Sequence, residues 1–366
     1  RWLCDAGCPP ASRSASHSQR ESLSSFPLSS RTAARASDDP THMAGKDPKA
    51  LREHFQGLLS AKKAGDLPIE REPLFINANT IPLDGFKFLA EKHIRACPVI
   101  NDDLKIIGTL DLRDSCGFIC QLFVEAQQKE GKKGSFVSQG TRQKIALEDM
   151  NVTGVAQKRQ FTTFPPDTSL LEVALALATG SHIVGILGGP ESQGCLSRVV
   201  TQGILLKFVA PELENLKIPV KAVMTSPAVS LKWNDPALKG FELMATKGIS
   251  SIAIVEETGQ IIHNMSASDV RLYFGVDGSE GDKDLTQEME DYLAKKSAGN
   301  AKSKARAPIS VCKEGDDLHN VVTKLVKTGY HRVWVVKDKK PVGVLSLTDV
   351  FKKLVTNEKD DNCCIL

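Results

Sequence analysis

A hydroxyl and a carboxylate stand three residues apart where a β-branched run gives way to a helical pattern near the end of the chain. These residues are Ser346 and Asp349, and His331 and Arg332 open the neighbouring apolar run. A helix N-terminus carries free backbone N–H groups and favours anions. The imidazole and the guanidinium add positive charge beside it. Together these four side chains could hold a sugar and a phosphate.

The same spacing also has a simpler interpretation as a helix cap. A hydroxyl at the N-cap and a carboxylate three positions later can each accept a free backbone N–H. An isolated pair of this kind favours the cap. A second complete pair, Ser266 and Asp269, occurs earlier in the chain, whereas the equivalent position after Thr201 is Ile204 and carries no carboxylate. The repetition favours binding by Asp349 and Asp269.

The elements that must position these groups are visible in residues 329–355. The apolar run 333–336, the charged turn 337–341, the apolar run 342–345 and the helical pattern 350–355 predict strand, turn, strand and helix. The same order recurs in three weaker copies. Because each copy is an incomplete half-core, we expect the copies to bury their faces against one another in pairs.

These copies and their connectors divide the chain into nine segments. The N-terminal helix has Leu51, Phe55, Leu58 and Leu59 on one face, and we expect it to pack on the repeat that follows. The 277–306 linker should contain one short helix over 285–295. The predicted segments are a disordered leader (1–42), the N-terminal helix (43–72), repeat 1 (73–124), a linker (125–160), repeat 2 (161–210), repeat 3 (217–276), a charged linker (277–306), repeat 4 (307–357) and a tail (358–366).

The leader is rich in Ser, Arg and Ala and has hardly any apolar run, so we expect it to be disordered. Because the first methionine is Met43, the leader is either a transit peptide or an upstream translation artefact. Transit peptides are poor in acidic residues. The leader contains Asp5, Glu21, Asp38 and Asp39, which favours the artefact.

Composition excludes several classes of function. The chain has 41% hydrophobic and 25% charged residues, typical of a globular protein, and its net charge of +3 without a long basic run gives no case for nucleic acid. The nine cysteines form no C-x-x-C pair, which disfavours zinc and a disulfide framework and fits a reducing compartment. No Walker loop, kinase motif or G-x-S-x-G is present, so we expect no enzyme activity.

Four motifs in order resemble one known family. They are IRACPV at 94–99, VVTQGILLKF at 199–208, KGISSIAIVEETGQ with SASDV in repeat 3, and YHRVWVV with GVLSLTDV in repeat 4. The units resemble CBS (cystathionine β-synthase) domains, and the fourfold arrangement resembles the γ subunit of AMP-activated protein kinase. The resemblance implies an α/β fold of four βαββα-type repeats, paired into two Bateman modules that form a pseudo-symmetric disc.

The resemblance also implies a function. The chain would be an adenine-nucleotide-sensing regulatory subunit that binds AMP, ADP or ATP, needs no metal, and assembles with a protein kinase catalytic subunit and a β-type bridging subunit. Carboxylates would bind the ribose, and hydroxyls and basic groups would bind the phosphates. The implied binding residues are Asp114, Asp269 and Asp349 for ribose, Arg95, His182, His331 and Arg332 for phosphate, and Ser346, Thr348, Ser266, Ser250 and Thr201 as further polar contacts.

Departures from the family pattern weaken two of the sites. Where the family's second repeat has His-Arg, this chain has His182 and Ile183, and a lysine expected near Gly203 is missing. In repeat 1, Asp111 replaces a hydroxyl, and a carboxylate facing a phosphate repels it. A scaffold that holds partner subunits without binding nucleotide is therefore the alternative function. Alternatively, His182 and His331 are ordinary polar residues at the ends of strands.

The last four residues have the C-a-a-X form with leucine last, which predicts geranylgeranylation of Cys363. The alternative is a coincidental tail, and Asp360 and Asp361 disfavour contact with an anionic membrane. One prenyl chain gives only reversible membrane binding, so stable anchoring would need a second signal such as palmitate on Cys364. We expect a cytoplasmic protein, with nuclear or membrane-associated location as alternatives.

Overall fold

Four small sheets of identical topology form the framework of the protein. The structure is a computed structural model that describes residues 48–68, 71–129, 152–189, 195–214, 216–275, 285–299 and 309–356. In every sheet the first strand pairs in parallel with the second, which pairs antiparallel with the third. The strands are β1 Ile76–Asn77, β2 Ala96–Ile100 and β3 Ile106–Asp111 in repeat 1, β4 Thr163–Phe164, β5 Ile183–Leu187 and β6 Leu196–Thr201 in repeat 2, β7 Ser230–Lys232, β8 Ser251–Val255 and β9 Ile261–Ser266 in repeat 3, and β10 Val311–Cys312, β11 Arg332–Lys337 and β12 Lys340–Ser346 in repeat 4.

Each sheet carries a helix between its first two strands and another after its third. The predicted strand, turn, strand and helix of repeat 4 are confirmed. Short 3₁₀ turns at Ala64–Asp66, Ala210–Leu213, Val220–Ala222 and Ala267–Asp269 complete the described elements. The α-helices are α1 Pro48–Ser60, α2 Pro82–Glu91, α3 Asp114–Lys129, α4 Val152–Gln157, α5 Leu170–Ala178, α6 Gln202–Val209, α7 Ala237–Lys247, α8 Val270–Phe274, α9 Met289–Gly299, α10 Leu318–Thr328 and α11 Leu347–Val355.

The four repeats contact one another in a closed ring. Repeats 1 and 2 meet through their sheets around Ala96, Phe161 and Ile183, and repeats 3 and 4 meet through theirs around Ala253 and Trp334. Two larger cores of helices then join the pairs, one between repeats 1 and 3 and the other between repeats 2 and 4. The predicted burial of repeat faces in pairs is confirmed, and each repeat has two neighbours.

The N-terminal helix does not pack where we expected. Phe55 and Leu59 on α1 are fully buried, but against α5 of repeat 2 and α11 of repeat 4 rather than against repeat 1. The amide of Gln56 donates to the Val355 carbonyl at 2.9 Å. The following turn pairs with repeat 2 as well, since the Ala64 amide donates to the Thr168 carbonyl at 2.8 Å. The chain therefore passes over repeat 2 before it enters repeat 1.

Two segments predicted as connectors contribute to the core between repeats 1 and 3. Helix α4 lies on β3, with Val152, Val155 and Ala156 buried. Helix α9 begins four residues later than the predicted start at Leu285 and packs on α7, with Met289 and Tyr292 fully buried. Their apolar residues recur at helical spacing, which explains their burial. By contrast, Leu83 near the start of α2 is 39% exposed.

Candidate functional site

The hydroxyl and carboxylate of repeat 4 form a helix cap. Ser346 is the N-cap of α11, and its hydroxyl accepts from the Asp349 amide at 3.3 Å. In return, Asp349 Oδ2 accepts from the Ser346 amide at 2.7 Å and from its hydroxyl at 2.5 Å. The cap interpretation is thus correct for this pair. It leaves the second carboxylate oxygen pointing away from the helix.

That second oxygen is bound by a residue that sequence reasoning missed. The Thr225 hydroxyl donates to Asp349 Oδ1 at 2.5 Å. Thr225 is held beside β12 by two backbone hydrogen bonds with Val344, each 2.9 Å long. A Cβ at Gly343 would lie 2.9 Å from the Thr225 carbonyl oxygen, so this approach requires glycine. We call the space between Thr225 and the start of α11 the repeat-4 cleft.

The structure brings together four predicted phosphate-binding residues from three repeats. We call Arg95, His182, His331 and Arg332 the basic cluster. Burial, and then the charges of Arg95, Arg332 and His182, lower the pKa of His331 to about 3. Burial, followed by Arg95, lowers the pKa of Arg332 to about 9, although Asp269 and Asp349 act in the opposite direction. Because the Asp349 carboxylate raises the pKa of Arg332, the cluster lies close to the repeat-4 cleft.

The side chains of the basic cluster differ in how many hydrogen-bond partners the protein provides for them. Arg332 donates to the carbonyl and to the hydroxyl of Ser250 in repeat 3, at 3.0 and 2.9 Å. The Arg95 guanidinium makes no hydrogen bond to any residue within the described ranges, and burial lowers its pKa to about 10. His331 remains accessible to solvent although protein surrounds it on most sides. The cluster thus contains hydrogen-bond donors that the described residues leave unused.

His182 and Asp111 lie in contact at one edge of the cluster. His182 Nδ1 lies 2.7 Å from Asp111 Oδ2, a contact too poorly aligned for a good hydrogen bond. Burial lowers the pKa of His182 to about 4, despite the opposing effect of Asp111. Arg113, which we had not singled out, donates from Nε and Nη2 to Asp111 at 3.1 Å each. Burial by itself raises the Asp111 pKa, but these partners hold it well below its usual range. Asp111 is therefore largely neutralised and is not a free negative charge beside the cluster.

The carboxylate predicted for ribose in repeat 1 is already paired. Asp114 accepts from Arg159 Nε at 3.2 and 3.0 Å and from Nη2 at 2.8 Å. Arg159 follows α4, within the segment predicted as a linker. A Cβ at Gly108 would lie 2.1 Å from the Ala156 carbonyl oxygen, which shows how closely this segment covers β3. We call the space between Arg159 and the start of α3 the repeat-1 cleft.

The remaining predicted residues serve the fold in this state. Asp269 is only 2% exposed and accepts from the Ser266 amide at 2.7 Å, which caps the turn after β9. The Thr201 hydroxyl caps α6 through the Ile204 amide at 3.2 Å. The Thr348 hydroxyl accepts from the Gln202 side chain at 2.9 Å and so joins repeats 2 and 4.

Some predictions concern residues that the structure does not describe. Cys363, the leader and the tail lie outside the described ranges. Within those ranges, no helix combines the length and apolar character needed to cross a bilayer. The described residues also contain no group of three or more His, Cys, Asp or Glu side chains arranged to hold a metal ion.

Comparison with known proteins agrees with this architecture. The CBS domain family model matches residues 64–114 and 304–356, which hold the sheets of repeats 1 and 4. The chain contains CBS domains at these two positions, and the sheet-to-sheet pairing of repeats 1 with 2 and 3 with 4 is consistent with two Bateman modules. The prediction of the family and of the fold class is confirmed.

The individual proteins that resemble this chain have low sequence identity to it. The solved structure of protein MJ1225 from Methanocaldococcus jannaschii, a candidate archaeal homologue of g-AMPK, matches with a TM-score of 0.59 at 15% identity, over 77% of this chain and 96% of that one. Protein SDS23 of Pyricularia oryzae is 21% identical over 244 residues, 64% of this chain and 46% of that protein. Protein sds23/moc1 of Schizosaccharomyces pombe is 23% identical over 342 residues, 82% of each chain. The chain spans about half the length of the first three curated relatives it matches.

Proposed function

We propose that the chain is a γ-like regulatory subunit that senses adenine nucleotides for an AMP-activated-type protein kinase complex. The observation that carries this proposal is the basic cluster. Burial and then the charge of Arg95 lower the pKa values of both His331 and Arg332, so the folded chain holds the Arg95 and Arg332 guanidinium groups near each other at an energetic cost. An anion placed among them would offset that cost, and phosphate is an anion that guanidinium groups bind with charge-assisted, bidentate hydrogen bonds.

The neighbouring repeat-4 cleft supplies partners for the rest of a nucleotide. Asp349 carries an acceptor oxygen whose present donor, the Thr225 hydroxyl, can rotate away when a ribose hydroxyl arrives. The effect of Asp349 on the Arg332 pKa indicates that the carboxylate lies near the cluster. A ligand with its phosphates on the cluster and its ribose at Asp349 would bridge repeats 1, 2 and 4. Binding would then couple the two modules and alter the surface offered to partners.

Titration of the full chain with AMP, ADP and ATP tests this proposal. Calorimetry should show binding by the parent protein. Arg95→Gln removes a cluster charge without a hydrogen-bonded partner in the described structure, and should weaken binding by about 10- to 100-fold, the value of one charge-assisted hydrogen bond. Arg71→Gln is the matched control because Arg71 is exposed. No binding by the parent protein, or equal affinity in Arg95→Gln, would refute the proposal.

A nucleotide-insensitive scaffold is the second candidate function. It is favoured by the observation that both oxygens of Asp349 and of Asp114 already have hydrogen-bond donors within the chain. Both functions share the proposed partners, a kinase catalytic subunit and a β-type bridging subunit. Affinity purification from native cells, with mass spectrometry of the captured proteins, tests those partners. Titration then distinguishes a sensor from a scaffold.

A further inference from the structure

The repeat-1 and repeat-4 clefts are built on the same plan. In each, the segment just before the first strand of another repeat's sheet lies along the third strand. The Thr109 amide donates to the Arg159 carbonyl at 2.8 Å, and the Val344 amide donates to the Thr225 carbonyl at 2.9 Å. Thr109 precedes Asp114 by five residues, as Val344 precedes Asp349. Arg159 and Thr225 are therefore structural equivalents.

Arg159 and Thr225 make different contacts with the carboxylate beside them. The Thr225 hydroxyl contacts one oxygen of Asp349. The Arg159 guanidinium contacts both oxygens of Asp114, through Nε and Nη2, at 2.8 to 3.2 Å. A hydroxyl can turn away from its acceptor with little loss, whereas a forked arginine-carboxylate pair is charge-assisted and fixed in orientation. Only the first arrangement yields readily to an incoming ligand.

The other polar positions of the repeat-1 cleft are also paired internally. Asp111 and Arg113 stand where repeat 4 has Ser346 and Thr348. Arg113 binds Asp111 with two side-chain hydrogen bonds of 3.1 Å and reaches the Gly180 carbonyl of repeat 2 at 3.1 Å. Two carboxylates and two guanidinium groups thus neutralise one another, and the cleft presents no free hydroxyl at these positions.

We propose that Arg159 closes the repeat-1 cleft to nucleotides by holding the Asp114 carboxylate, while Thr225 leaves the repeat-4 cleft open. This inference rests on the proposed function and specifies which cleft performs it. Arg159 is a specificity-determining residue that sets the number of ligands per chain. The chain would respond to nucleotide through repeat 4, with repeat 1 serving as a fixed internal joint to repeat 2.

Counting bound ATP per chain by equilibrium dialysis and calorimetry tests the inference. Arg159→Thr gives the repeat-1 cleft the residue type found at the repeat-4 cleft and should raise the count by one above the parent value. Arg159→Lys retains the positive charge and should leave the count unchanged. Thr225→Arg makes the reciprocal change and should lower the count by one, whereas Thr225→Ser should bind as the parent does.

The outcomes separate this inference from the proposed function. If the parent binds ATP and folded Arg159→Thr binds no additional equivalent, the inference is wrong and the proposed function stands. If neither protein binds ATP, both are wrong. Circular dichroism and a thermal melt establish whether Arg159→Thr is folded. Should it fail to fold, Thr225→Arg decides, because an unchanged count in that variant overturns the inference.

Discussion

Replacing Asp349 by alanine tests the fold and the site together. Its carboxylate accepts three hydrogen bonds, two from Ser346 and one from Thr225. Loss of an N-terminal cap costs about 1 kcal/mol. The exposed Thr225 hydroxyl also loses its charged acceptor, and the net value of that hydrogen bond adds about 1 kcal/mol. We therefore expect Asp349→Ala to lower the free energy of unfolding by about 2 kcal/mol without ligand.

Nucleotide affinity should change by more than this structural loss explains. If Asp349 accepts two ribose hydroxyls, its removal should weaken ATP binding by about 2 to 4 kcal/mol, or roughly 30- to 1000-fold. Calorimetry with AMP and ATP measures the affinity, and urea unfolding without ligand measures the stability. Asp103→Ala is the matched control, because Asp103 is exposed and in the described structure makes no hydrogen bond.

A second substitution separates the cap from the binding role. Thr225→Val removes the hydroxyl that now occupies Asp349 Oδ1 but leaves the carboxylate in place. It should reduce stability by about 1 kcal/mol and retain nucleotide binding. Combined with Asp349→Ala, it should show a coupling energy of about 1 kcal/mol in stability. Equal affinity in the parent protein and Asp349→Ala would refute the ribose role and leave only the cap.

Three further predictions address other parts of the molecule. Burial lowers the folded pKa of His182 from 6.5 to about 4, so folding excludes a proton, and stability should fall by on the order of 3 kcal/mol as the pH drops from about 6.5 towards 4. Urea unfolding across this range should show a weaker pH dependence in His182→Gln. Sulfate binding at pH 6 should be accompanied by proton uptake at His331, detected by calorimetry in buffers of different ionisation enthalpy, because an anion offsets the charges that lower its pKa. Gly108→Ala, whose Cβ would meet the Ala156 carbonyl at 2.1 Å, should destabilise the fold by at least 1 to 3 kcal/mol, whereas Gly57→Ala, with open space around the new methyl, should stabilise it slightly.

Local pattern was sufficient to predict most of the secondary structure. Alternating and β-branched runs predicted the second and third strands of all four sheets, because strand and helix periodicities depend on neighbouring residues. They did not predict the first strand of each sheet, which is only two or three residues long. The packing of α1 was predicted wrongly, since Phe55 indicates that one face is buried but not which repeat covers it. The helix at Met289–Gly299 was recognised near its true position, but its place in a core was not.

Within the candidate site, the basic residues were predictable and their partners were not. Arg95, His331 and Arg332 stand at strand starts that recur in each repeat, so the repeat pattern identifies them. Thr225 and Asp349 are 124 residues apart, and no local spacing relates them. Arg159 lies in a segment without strong periodicity, where a charged residue looks like ordinary solvent-exposed surface. Contacts between repeats depend on tertiary packing, which a single sequence does not display.

The ring of contacts among the repeats determines what happens when the chain is expressed as two separate halves. The two large helical cores each join one repeat of the first module to one repeat of the second. A half-chain ending near Glu214 would expose both apolar helix faces at once, and should self-associate or aggregate when expressed alone. Co-expressed with the complementary half, it would have its native partner surfaces available again. The junction between repeats 2 and 3 is thus a natural place for a split protein whose activity reports reassembly.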